Sequence, residues 1–154
     1  MNKYVEEFSA YLTDVKKASV NTCLSYIRDI TQFETHLTAA GVHDILEASP
    51  EDIASYIEAL DHAGKSDSTI LRATAALKCF FIYMILCGYI ENTPVKSEVK
   101  RRKEKHVPEI LTNQEIFLLL SQPKCTDAKG IRDKAILELL YATGIRVTEL
   151  ISLN

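Results

Sequence analysis

Arg146 stands alone in "LLYATGIRVTELISLN", the apolar stretch that runs from Leu139 to Asn154. It follows Thr143 and Gly144, a pair that ends a helix. A guanidinium stays charged at any working pH, and its planar fork suits phosphate oxygens. On spacing alone an ordinary surface arginine fits the position as well. A second candidate is "KSEVKRRKEK", residues 96–105, with 6 basic and 2 acidic side chains. Within it Lys100, Arg101, Arg102 and Lys103 form an unbroken basic run that could contact phosphate or serve as a solvated linker. A third is a polar stripe at helical spacing: Asn21, Ser25, Arg28 and Gln32, with Thr22 beside it. Asn, Ser and Thr bond phosphates, and Arg and Gln read base edges, although a plain solvated face has the same pattern. Ser68, Thr69 and Arg72 open another helix, where free N–H groups and hydroxyls can seat a phosphate. Lys78 lies on a different face of that helix, at a groove flank or lying across apolar surface.

These residues need helices to position them, and the signals are almost all helical. The first helix is predicted over Lys3 to Thr13, with Val5, Phe8 and Leu12 inward. The second runs from about Ser19 to Gly41, and its apolar side carries Val20, Cys23, Leu24, Ile27, Ile30, Phe33 and Leu37. The third opens at "SPED", with Ser49 as N-cap and Pro50 in the first turn, and ends before Gly64. The fourth spans about Ser68 to Cys87 and stops at Gly88. Residues 1–94 thus form a four-helix bundle, residues 95–107 a basic linker, and residues 108–154 a second helical unit. Extended, that linker reaches at most ~45 Å, more than the ~34 Å of one DNA turn. The second unit starts at "LTNQE", where Thr112 and Glu115 make a capping box. It continues with helices ending near Ser121 and Thr143, and a last one beginning near Arg146 to Thr148.

Composition excludes several classes. The four cysteines show no metal-finger or CxxC spacing and read as free thiols of a reducing, cytoplasmic compartment. No signal peptide is legible, and no uninterrupted apolar run reaches the ~18 residues of a membrane span. Phosphate loops, dinucleotide fingerprints and zinc-protease motifs are absent. The net charge of −3 opposes nucleic-acid binding, but the charge is unevenly placed. Residues 1–95 hold 7 basic and 13 acidic groups, net −6, whereas the 96–105 segment is net +4. Six acids and no Lys or Arg lie between Asp44 and Asp61, so the third helix should face away from any phosphate.

The run "IRDKAILELLYATGIRVTELISLN" resembles the first catalytic box of the tyrosine recombinases. The matching positions are Arg132, Asp133, Ala135, Leu139, Leu140, Tyr141, Thr143, Gly144, Arg146, Glu149 and Leu150, with Ile145 and Thr148 as conservative departures. "STILRATAALKCFFIYMILCGYIENTP" is similar to a second stretch of that family, with Thr93 as an extra turn residue, and "VPEILTNQE" to the start of its catalytic domain. The layout looks like the Xer-type recombinases.

The resemblance implies an all-α, SAM-like core-binding bundle that grips double-stranded DNA. It implies strand cutting by a tyrosine through a 3′-phosphotyrosine, without metal or cofactor, among recombinase protomers assembled as a tetramer on DNA. Arg146 would be the first of two catalytic arginines, with Thr143 and Glu149 fixing its turn. Tyr141 is read as a core residue of its helix. The family's lysine, HxxR box and nucleophilic tyrosine would all fall after Asn154. The chain is therefore expected to be the N-terminal DNA-binding domain plus the opening helices of a truncated catalytic domain, inactive alone. The apolar face of "AILELLYATGI" is expected to be left exposed, with homodimerisation as one consequence. The alternatives are a helical protein-interaction module and a truncated recombinase-like regulator that binds recombination sites.

Overall fold

The computed structural model describes residues 2–96 and 109–153. The described residues are helical with no strand among them, so the fold is all-α as expected. They fall into two units, one within Met1–Glu104 and one within Lys105–Asn154.

In the first unit, α1 spans Lys3–Ala10 and is capped by Asn2, whose side chain accepts the Tyr4 N–H. Asn2 also donates to Glu34 Oε1 at 2.8 Å, tying the start of the chain to α2. The predicted helix continued to Thr13. Instead it widens into a π turn over Tyr11–Val15, with the Lys16 N–H bonded to the Tyr11 carbonyl at 3.0 Å. The wider turn lets two consecutive side chains face the bundle: Leu12 is buried, and Tyr11 stacks on Tyr83 at 4.4 Å between centroids.

Helix α2 spans Val20–Ala39 behind the N-cap Ser19. Its buried side differs from the expected one. Ile30, Phe33 and Leu37 are buried, but Val20 and Leu24 are 74% and 61% exposed. The inward arc is rotated so that Asp29 is taken in and the first turns stand clear of the core. Helix α3, Pro50–His62, follows a short 3-10 turn at Ile45–Glu47 that the sequence reading did not anticipate. Helix α4, Asp67–Leu86, begins behind Ser66 and not at Ser68, because the Ser66 hydroxyl takes the Thr69 N–H. By length and composition α4 could cross a membrane, with a mean hydropathy of 1.6. It is instead the central helix of the bundle, burying Ile70, Ala73, Ala76, Leu77, Phe80, Phe81 and Met84.

Helices α2, α3 and α4 end alike. Gly41, Gly64 and Gly88 have positive φ, and the following N–H reaches back to Leu37, Leu60 and Met84. The left-handed residue is easy for glycine, which lacks a Cβ, and it satisfies carbonyls the helix leaves open. Aromatic edges then link the helices. Phe8 meets Phe80 at 5.3 Å, Phe33 meets Tyr56 at 5.2 Å, and Phe33 meets Phe81 at 6.4 Å.

The N-terminus of α3 carries a pH-dependent contribution. Ser49 donates its hydroxyl and its N–H to Asp52 Oδ2 at 2.7 and 2.8 Å, and Asp52 N–H returns a bond to the hydroxyl. The hydroxyl bond, then the backbone bond, holds the Asp52 carboxyl below its ordinary value of 3.8. A depressed folded pKa stabilises above the unfolded value, and that stability is lost as pH falls through the folded one. Asp52→Asn is expected to lower Tm at neutral pH, with the gap from wild type closing toward about pH 2. A gap of equal size at both pH values would count against the assignment.

In the second unit, α5 spans Asn113–Ser121, α6 Ala128–Thr143 and α7 Val147–Leu150. Thr112 and Glu115 make the expected capping box, with the Thr112 N–H bonded to Glu115 at 2.8 Å. None of the three helices has a fully buried residue. Leu111, Ile116, Leu120, Leu137, Leu140 and Tyr141 contribute to an open apolar groove of about 420 Å³. Tyr141, expected in the core, is 60% exposed at that groove. The apolar face was legible in the sequence, and among the described residues of this unit it lines the open groove.

Candidate nucleic-acid interface

Among the described residues, two places present positioned cations. The first is a cleft of about 210 Å³ in the helical bundle, lined by residues of α2, α3 and α4 and by Lys65. Its polar lining includes Arg28, Asp29, Gln32, Lys65, Thr69 and Arg72. Helical periodicity puts Arg28 and Gln32 on one side of α2, one turn apart. Thr69 and Arg72 come from the first turns of α4. Lys65 enters because the Gly64 turn carries the chain from α3 toward α4.

At the cleft, Asp29 and Arg72 meet across 43 residues of sequence. Arg72 Nε donates to Asp29 Oδ2 at 2.9 Å and Nη2 donates to Oδ1 at 3.1 Å, a two-point fork. Asp29 is 2% exposed and is the one buried charged side chain among the described residues. The Arg72 side chain remains 42% exposed, so the pair spans from core to solvent. The bond to Asp29 raises the Arg72 pKa further, which keeps the guanidinium charged at every working pH. Beneath them, the Tyr56 hydroxyl points to the Asp29 carbonyl at a long 3.5 Å. Burial, then the Asp29 charge, pushes the Tyr56 hydroxyl up to about 12, so it stays a neutral donor. A bare carboxylate at this depth would be costly, and the fork compensates it. Arg28 and Lys65 make no ion pair among the described residues.

The remaining sequence candidates are dispersed around this centre. Asn21 is exposed and Ser25 half-buried on α2. The Thr22 and Thr69 hydroxyls sit 2.9 and 3.0 Å from the cap hydroxyls of Ser19 and Ser66. Thr22 and Thr69 also give their N–H groups to those caps, so neither N–H is an open donor for phosphate. Ser68 is exposed in the first turn of α4. Lys78 is exposed farther along α4 and does not line the cleft. Lys100, Arg101, Arg102 and Lys103 lie outside the described residues. Sequence reasoning missed Lys65 and Asp29. Lys65 follows a helix-ending glycine, a signal that it begins a connection near the next helix. Asp29, beside Arg28, carried no sign of its burial.

The second place is the turn at Arg146. Gly144 adopts the left-handed conformation with φ 66°, and its N–H closes α6 on the Leu140 carbonyl at 2.9 Å. Thr143 donates its hydroxyl to the Leu139 carbonyl. The Ile145 N–H in turn approaches that hydroxyl at 3.4 Å. Arg146 then caps α7, and Glu149 holds it twice: Oε2 accepts the Arg146 N–H at 2.8 Å and Oε1 accepts Nη1 at 3.0 Å. The Arg146 side chain is 81% exposed, so this pair adds little stability but restricts where the guanidinium stands. The guanidinium is open to an incoming oxyanion.

The first unit is thus a helical bundle with a cleft that brings Arg28, Lys65 and Arg72 together. The model of the phage integrase N-terminal SAM-like domain matches residues 5–87, and the chain belongs to that family. The relatives sharpen the class. A protein of Caldanaerobacter subterraneus subsp. tengcongensis assigned to the tyrosine recombinases is 39% identical over 150 residues, covering 97% of this chain and 51% of its own length. The tyrosine recombinase XerC of Roseiflexus sp. is 35% identical over 155 residues, covering all of this chain and 50% of its own length. XerD of Listeria monocytogenes is 32% identical over 155 residues, with 52% of its length covered. The chain thus spans about half the length of these curated relatives.

Proposed function

We propose that this chain is the DNA-binding portion of a site-specific tyrosine recombinase. The observation that carries the reading is the gathering of Arg28, Gln32, Lys65, Thr69 and Arg72 into one cleft on a bundle that is otherwise acidic. The three cations neutralise phosphates, and Arg28 and Gln32 can present forks to base edges. The basic run at Lys100 to Lys103 extends the grip along the duplex. Helix α3, expected from its acids to face away from phosphate, instead lends Tyr56 and Leu60 to the cleft wall. In the recombination reaction Arg146 holds non-bridging oxygens of the scissile phosphate, where charge builds up in the transition state. Glu149 and Thr143 set its position. A tyrosine forms the 3′-phosphotyrosine link, and partner protomers bring the second duplex. The donor set calls for no metal or nucleotide, because bond energy is kept in the covalent link. The four cysteines are unpaired, as suits a cytoplasmic setting.

The test is duplex binding against salt concentration for the double variant Arg28→Ala with Lys65→Ala. Each phosphate contact contributes about −0.9 to the slope of log K against log salt, so the slope should become shallower by about 1.8. A folded double variant with the wild-type slope and affinity would defeat the placement of DNA at the cleft.

A further inference from the structure

We propose that Asp29 is a positioning residue for DNA recognition, fixing the Arg72 fork so that its free edge faces the cleft. The inference rests on the DNA-binding reading above but goes beyond it, since Asp29 is an acid that would by itself repel phosphate. Asp29 occupies Nε and one N–H of Nη2, and among the described residues no hydrogen bond engages Nη1. A guanidinium has five N–H donors, so an unbonded edge remains for an oxyanion or a base. A free arginine loses rotamer freedom when it binds, and one already pinned loses less. The pinned group has a fixed place among the other cleft residues, between half-buried Thr69 and exposed Arg28. The Arg72 guanidinium is half in solvent, so its unbonded edge is within reach of a ligand.

The test turns on a sign. Asp29→Asn removes a negative charge near the bound phosphates, so simple electrostatics makes DNA binding tighter. Positioning makes it weaker, by about tenfold, with the salt slope shallower by about 0.9 as the Arg72 contact is lost. Binding of the full chain to a labelled duplex is measured across salt, with helical circular dichroism confirming the fold of each variant. Equal or tighter binding by folded Asp29→Asn overturns the proposal. Should that variant not fold, Arg72→Lys decides. It keeps the charge and loses the fork, so it should bind as weakly as Arg72→Gln, and wild-type affinity for Arg72→Lys overturns the proposal. If wild-type protein binds no duplex, the DNA-binding reading itself has failed, and that result is visible before any variant is compared.

Discussion

Replacing Lys100, Arg101, Arg102 and Lys103 together with alanine is expected to weaken duplex binding on the order of a thousandfold at 0.1 M salt. The slope of log K against log salt should become shallower by about 3.6, from four contacts at ~0.9 each. The size follows from how little positive charge the rest of the chain offers. Residues 1–95 are net −6, and the whole chain is net −3. Four cations in one run therefore outweigh the three of the cleft. The loss should be shared by all duplex sequences, because phosphate contacts carry no base information. Fluorescence anisotropy with a specific and a random duplex, each across salt, measures both effects. Unchanged slope and affinity would return the basic run to a solvated linker. Failure of the wild type to bind at low salt would favour the helical interaction module instead.

The second large effect concerns the bundle that holds the cleft. Phe33→Ala is expected to cost about 4 kcal/mol, the usual loss when a buried phenylalanine leaves a cavity. Phe33 is fully buried, meets Tyr56 at 5.2 Å and Phe81 at 6.4 Å, and so ties α2 to both α3 and α4. For a domain of this size each kcal/mol shifts Tm by about 4–8 °C, so a fall of about 20 °C is expected by calorimetry. Tyr56 also lies under Asp29, so the same substitution should loosen the Asp29–Arg72 fork and weaken DNA binding at temperatures where the variant remains folded. A Tm change below about 5 °C would mean that the bundle refills the space, and that Phe33 is not the joint it is taken to be.

Much of the fold was legible because the signals are local. The Ser49 and Thr112 capping boxes, Pro50 in the first turn of α3 and the glycine stops all involve neighbours within a few residues. A cap hydroxyl finds its N–H three residues on whatever the rest of the chain does. The Arg146 turn is local too: Gly144, Arg146 and Glu149 lie within six positions, the stop at Gly144 was read from the residues, and the part of Glu149 came from the family resemblance. The cleft was half legible. Arg28 and Gln32 follow from helical spacing, and Arg72 from its place near the start of α4. That these side chains share one cavity with Lys65 depends on how α2 and α4 cross, and no local rule sets that.

The departures have one cause. Periodicity predicts an apolar arc on α2 but not which part of it meets a partner helix. Val20 and Leu24 lie on the predicted arc and face solvent, while Asp29 lies outside it and is buried. The π turn at Tyr11–Val15 forms where Tyr11 finds the ring of Tyr83, a contact no neighbour in sequence announces. Tyr141 read as core because its helix is apolar, but burial needs a second surface and not only an apolar first one. The sequence by itself determined the caps at Ser19, Ser49 and Thr112 and the glycine stops, since each is closed by bonds within a few residues. Only the tertiary structure decided that Asp29 and Arg72 meet, because a fork joining residues 43 positions apart exists only once two packed helices bring its halves to 2.9 Å.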